Sequence, residues 1–189
     1  MTAWGVDPLL GQVARLFLAG LLLTSAIHKA RTLRAFTGIV AAYRLLPAGF
    51  IRPVSASLPL VEMVAAAALL VPATGGFGAR MAAALFLLFF AAVTINLGRG
   101  RTTIDCGCTL ARGGGGLTVW HLVRLALLIG MTAVAGMAND DRLQSLFDYV
   151  NAVAAVTSLA ILYLAADALL ANHARMRTRH NEKEPVAHA

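Results

Sequence analysis

Apolar residues arrive in long blocks separated by short polar connections, and this segmentation governs everything else the chain can do. Five blocks approach the roughly 20 residues an α-helix needs to cross a hydrocarbon layer. They cover about residues 9–27, 54–71, 77–97, 118–137 and 146–170. Gln12 and Arg15 interrupt the first, Pro72 closes the second ahead of Thr74-Gly75-Gly76, and the third is the cleanest, with Arg80 near its start. The first block lacks a basic lead-in and a clear small-x-small site after it, so it reads as a retained span rather than a cleaved signal. The predicted fold class is therefore all-α: a polytopic transmembrane helix bundle of about five spans, a single domain over residues 1–171.

Residues 29–46 are long for a connector and carry Leu33, Phe36, Ile39, Val40, Tyr43 and Leu46 three or four apart, with basic residues between them. That spacing predicts a short interfacial amphipathic helix, stopped by Pro47 and Gly49. Residues 172–189 are polar and charged and are expected to be a disordered cytoplasmic tail.

Composition agrees with the pattern. Of 189 residues, 59% are hydrophobic and 13% charged, against about 25% charged in a soluble domain. The net charge of +7 does not signal nucleic acid, because Lys and Arg sit in the connections, where they report orientation and lipid headgroups. Lys29, Arg31, Arg34, Arg44, Arg52, Arg99, Arg101, Arg112, Arg175, Arg177, Arg179 and Lys183 fall on one side of the alternating spans, and only Arg80 and Arg142 on the other. The positive-inside rule then puts the N-terminus outside and the C-terminus in the cytoplasm, consistent with an odd number of spans.

Ionisable groups within spans are costly, so each is a candidate for function. They are Arg15, Glu62, His121, Arg124 and Asp167, with His28 and Asn96 at span ends. Span order places all of them except Arg15 toward the face that carries the connection between the third and fourth blocks. Glu62, about 12 Å into its span from that face, must be neutral or paired, with Arg124 or His121 as partners. Thr118, His121 and Arg124 recur every three residues and so share a helix face. The bland readings stand beside these: Arg124 and Asp167 snorkelling to the interface, His28 as an interfacial cap, a purely structural pair at Glu62, and Arg15 as structural glue or a headgroup contact.

The two cysteines are one residue apart, in Asp105-Cys106-Gly107-Cys108, followed by the glycine run 113–116. Such neighbours brace no fold, which points to thiol chemistry or a metal. Their Cα atoms can approach within the about 4.4–6.8 Å that a disulfide needs, and the small strained ring would make an oxidising bond. Arg101, Arg112 and His121 would favour the thiolate, while Asp105 would oppose it or accept a proton. A soft metal on two thiolates and His121 stays open but lacks a fourth ligand for tetrahedral zinc; inert thiols stay open too.

His28-Lys29, Tyr43-Arg44-Leu45-Leu46-Pro47, Pro59-Leu60-Val61-Glu62 and Asp105-Cys106-Gly107-Cys108, in that order, resemble the MauE family of methylamine-utilisation membrane proteins, grouped with DoxX-like redox-associated membrane proteins. The likeness covers roughly residues 10–137. It implies a four-helix DoxX-like core with one C-terminal span. It also implies an inner-membrane factor for maturation of the methylamine dehydrogenase small subunit, a disulfide-rich periplasmic client, acting with a thioredoxin-like periplasmic partner. The family usually follows the cysteine pair with Phe-Gly, whereas Thr109-Leu110 follows here.

The functional expectation is thus a membrane thiol–disulfide factor, with Cys106 and Cys108 as the reacting pair and Asp105, His121, Arg124, Glu62, Asn96 and His28 tuning thiolate charge and proton movement. No cofactor motif is evident, and a quinone is the one cofactor admitted. The charge rule places the pair on the cytoplasmic side although disulfides are made in the periplasm. A relay across the membrane, exchange with a quinone, or the opposite topology would each resolve this. The alternatives in function are a non-catalytic assembly platform for the same kind of client and, less favoured for so small a chain, a small-solute transporter.

Overall fold

A computed structural model describes residues 8–101, 104, 117–137 and 146–183. Every regular element in it is helical. Helix α1, Pro8–Arg31, starts on a proline, whose missing N–H costs nothing in a first turn. Thr32 breaks it from α2, Leu33–Tyr43, and its hydroxyl and amide both donate to the His28 carbonyl. The amphipathic segment predicted over 29–46 is therefore shorter, because its first residues finish α1. Arg44 ends α2 in the left-handed conformation (φ 48°), donating its N–H to Ala41.

Pro47 then caps α3, Ala48–Leu70, which begins six residues ahead of the predicted span. Glu62 consequently sits about 21 Å along a helix of 23 residues, near its middle. Pro59 lies in the interior of α3 and cannot donate to the Ser55 carbonyl one turn back. A 3-10 turn, Pro72–Thr74, leads into α4, Gly75–Gly98. Their hairpin is tight: a Cβ on Gly78 would come 2.6 Å from the Leu69 backbone nitrogen, so only glycine lets the two backbones approach. Helices α5, Val119–Met137, and α6, Leu146–Lys183, are the last of the described elements.

Helices α1, α3, α4 and α5 form a four-helix ring in which each packs on the next and α5 closes onto α1. Helix α2 lies on α3, and α6 lies on α1. The core is built from Leu18, Leu22 and Ala26 of α1, Ala65, Ala66 and Leu69 of α3, Ala79, Ala82 and Phe86 of α4, and Leu125, Leu128 and Ala135 of α5. Alanine at these positions lets helices approach closely where lipid supplies no hydrophobic drive.

Among the described residues, four helices are long and apolar enough to cross a membrane: Pro8–Arg31, Ala48–Leu70, the turn with α4 over Pro72–Gly98, and Val119–Met137. In α6 the apolar stretch is Val150–Ala166, about 25 Å of rise, near the lower limit for a fifth span. The helix carries on to Lys183, so the polar segment expected to be disordered from 172 is helical as far as that residue. Ala174, Arg175, Met176, Arg177 and Arg179 are good helix formers that extend a helix already nucleated.

Candidate functional site

The alternation of the ring brings the C-terminal end of α1, the start of α3, the end of α4 and the start of α5 to one end of the bundle. Toward this end lies a buried ion pair: Lys29 Nζ, in the last turn of α1, donates to Glu62 Oε1 in α3, and each side chain is 1% exposed. Two rings close over the ammonium, Phe89 of α4 with its centroid 4.6 Å away and Phe36 of α2 at 5.3 Å. The carboxylate supplies the opposite charge and the ring faces supply negative quadrupole, so the cation is compensated from three helices.

Lys29 thus leaves the set of loop cations to which its neighbours assign it, although the basic excess stays on the same side. It is also a partner of Glu62 that the expectation of Arg124 or His121 did not include. A signal was present in the sequence: the buried stripe Leu18, Leu22, Ala26 continues at helical spacing to Lys29.

Glu62, His121 and Arg124 do come together. With Ser25, Phe86 and Phe89 they line a cavity of about 20 Å³, room for about one water. His121 is oriented by the residue ahead of its helix. Thr118 N–H donates to His121 Nδ1 at 3.2 Å, and the Thr118 hydroxyl lies 3.0 Å from the same nitrogen. With Nδ1 accepting, Nε2 carries the ring proton. Arg124 stacks over the Tyr163 ring of α6, its guanidinium carbon 4.4 Å from the centroid.

Asn96 is fully buried in the last turn of α4, where its Nδ2 donates to Ala92 O at 3.0 Å and its Oδ1 has no partner among the described residues. His28 is half-buried, and neither residue lines the cavity at Glu62. Asp105, Cys106, Cys108 and the side chain of Asp167 lie outside the described residues.

Arg15 belongs to the other end of the bundle. Its Nε donates at 3.0 Å to Ala135 O, one of the last carbonyls of α5, which have no partner within their own helix. Gly75 makes room for it, since a Cβ there would stand 2.8 Å from the Arg15 Cζ. Arg15 ties α1 to α5 beside the start of α4.

The family model for methylamine utilisation protein MauE matches residues 7–138. This chain belongs to the MauE family. Methylamine utilization protein MauE of Methylophilus methylotrophus is 39% identical over 170 residues, covering 87% of each chain. That of Paracoccus versutus is 36% identical over 165 residues, covering 86% of this chain and 88% of its own. The Paracoccus denitrificans protein of the same name is 43% identical over 103 residues, 54% of this chain and 55% of its own. No solved structure matches. The matched span covers the four-helix ring with α2 and both cation sites on α1, so the polar cluster belongs to the part of the chain the family shares.

Proposed function

We propose that this MauE-family chain is an inner-membrane redox factor of methylamine utilisation. Cys106 and Cys108 cycle between dithiol and disulfide in support of disulfide formation or isomerisation in a periplasmic client, such as the methylamine dehydrogenase small subunit, with a thioredoxin-like protein as partner. The observation that carries the reading is the Lys29–Glu62 pair beside His121 and Arg124, a charged cluster held inside an apolar bundle. Both cysteines lie between α4 and α5, the helices that contribute Phe89, His121 and Arg124 to that cluster. Thiol exchange needs a thiolate and somewhere for protons to go, and cations and an imidazole supply both. The basic residues favour a C-terminus in the cytoplasm.

The test is thiol trapping in intact cells with a membrane-impermeant maleimide, before and after mild reduction, alongside client accumulation in Cys106→Ser and Cys108→Ser variants. A pair labelled only after reduction, with client lost in either variant, is the expected result. Free thiols throughout, with normal client in both variants, would replace this reading with a non-catalytic assembly platform.

A further inference from the structure

Two cavities flank the Arg124–Tyr163 stack. One, of about 250 Å³, opens between α1 and α6, with Phe17, Gly20, Thr24 and Ala160 in its walls. The other, of about 260 Å³, opens between α5 and α6 beside Trp120 and Met131. Both are lined by Phe17, Arg124 and Tyr163, so the stack is the wall they share. They exist because α6 rests on α1 and leaves a gap along α5. The Tyr163 hydroxyl is buried here with no hydrogen-bond partner among the described residues. A buried phenol without a partner loses the hydrogen bond it had with water, and a ligand acceptor would restore it.

We propose that the cleft between α1 and α6 binds a membrane quinone, whose ring carbonyl accepts from the Tyr163 hydroxyl beside the Arg124 guanidinium. The walls are mostly apolar and aromatic, with one guanidinium, one phenol and the hydroxyls of Thr24 and Ser25, which suits a flat neutral ring carrying a carbonyl. A phosphate headgroup would have to shed its hydration for a single cation in that setting, a poor exchange. The cleft also adjoins the cavity of Glu62 and His121 through Arg124, which lines all three. This inference rests on the redox reading only for its purpose. When Cys106 and Cys108 close to a disulfide, two electrons and two protons leave the two thiols, and a quinone accepts both pairs to become the quinol.

Trp120 lines the neighbouring α5–α6 cavity, across the Arg124–Tyr163 stack from the cleft, and provides a reporter, because Trp4→Phe leaves it as the one remaining tryptophan of two. In nanodiscs of zwitterionic lipid, titration with decylubiquinone should quench Trp120 saturably. Tyr163→Phe should weaken binding about five- to tenfold, the worth of one hydrogen bond. Gly20→Leu should abolish it, because a Cβ at Gly20 meets nothing within 4 Å and the leucine fills the cleft without disturbing the helix. The Cys106→Ser/Cys108→Ser double variant should bind as the parent does. Quenching that rises linearly with quinone and is the same in the Gly20→Leu variant would overturn the proposal. So would saturable quenching relieved by stoichiometric phosphatidylglycerol, which would assign the cleft to a lipid headgroup. Failure of the thiol chemistry is read separately: quinone bound by the parent without oxidising the cysteines sinks the redox reading and leaves the site standing.

Discussion

Helix α1 carries two cations into the bundle, Arg15 and Lys29, fourteen residues or about 21 Å apart, and the chain treats them in opposite ways. Arg15 spends a donor on a helix-terminal carbonyl, with a glycine carved out beside it. Lys29 meets a full opposite charge and two aromatic faces, within a cluster that includes an imidazole, a second guanidinium and a water-sized cavity. The first arrangement closes one end of the ring. The second concentrates titratable groups, with space between them, toward the end where α4 stops and α5 starts. Buried charge in one small bundle therefore serves two purposes, and they are told apart by what surrounds the charge, because burial is much the same.

The sharpest way to break this comparison is to remove one member of the Lys29–Glu62 pair. Glu62→Leu strands an ammonium among helices and should cost about 3–5 kcal/mol, seen as loss of the folded protein or a large fall in melting temperature in detergent. Replacing both, Lys29→Met with Glu62→Leu, should return stability to within about 1 kcal/mol of the parent, because two apolar side chains fill the same space without a desolvation penalty. If the pair works in the thiol chemistry, the double variant folds and still fails to mature the client. Full activity in the folded double variant would reduce the pair to the same structural role as Arg15.

The closed end is tested next. Gly78→Val drives a side chain into the α3 backbone and should cost about 1–3 kcal/mol by forcing the hairpin apart. Arg15→Met leaves the Ala135 carbonyl without its donor and should cost about 1–3 kcal/mol in thermal unfolding. At a temperature where both variants are folded, the redox state of Cys106 and Cys108 should match the parent. A shift in that state would show that the two ends are coupled and would undo the division drawn between them.

Much of this was readable in the sequence, and the failures share a cause. The span blocks, the break at Pro72 and the amphipathic character of α2 follow from composition over a window, which local pattern reports well. The gathering of Glu62, His121 and Arg124 also follows, because antiparallel alternation alone decides which span ends meet. Lys29 follows only in part, from the helical spacing that carries the stripe Leu18, Leu22, Ala26 on to it. His28 and Arg31 beside it give a local signature of an interfacial loop, and its burial depends on α2 folding back so that Phe36 covers the ammonium, an event set by tertiary packing. Arg15 was legible as glue but not in its partner, a backbone carbonyl 120 residues away that no side-chain pattern announces. The Arg124–Tyr163 stack was hidden for the same reason, since Tyr163 looks like any aromatic on an apolar helix until α6 is laid against α1.

The smallest expected effect is the most discriminating about the polar end. Thr118→Val keeps the shape of the side chain and the backbone N–H that donates to His121 Nδ1, and removes only the hydroxyl 3.0 Å from that nitrogen. A single partly exposed hydrogen bond of this kind is worth about 0.5–1.5 kcal/mol, so the melting temperature should fall by a few degrees at most. If His121 merely packs, nothing else changes. If it serves the cysteine pair, its ring proton must stay on Nε2 and face into the cluster, and loosening the ring should slow maleimide labelling of the reduced pair by a factor of about 2–5 while leaving the final extent unchanged. A rate unchanged beyond error, in a variant whose stability has fallen as expected, would remove His121 from the thiol chemistry and leave Lys29, Glu62 and Arg124 to account for the cluster alone.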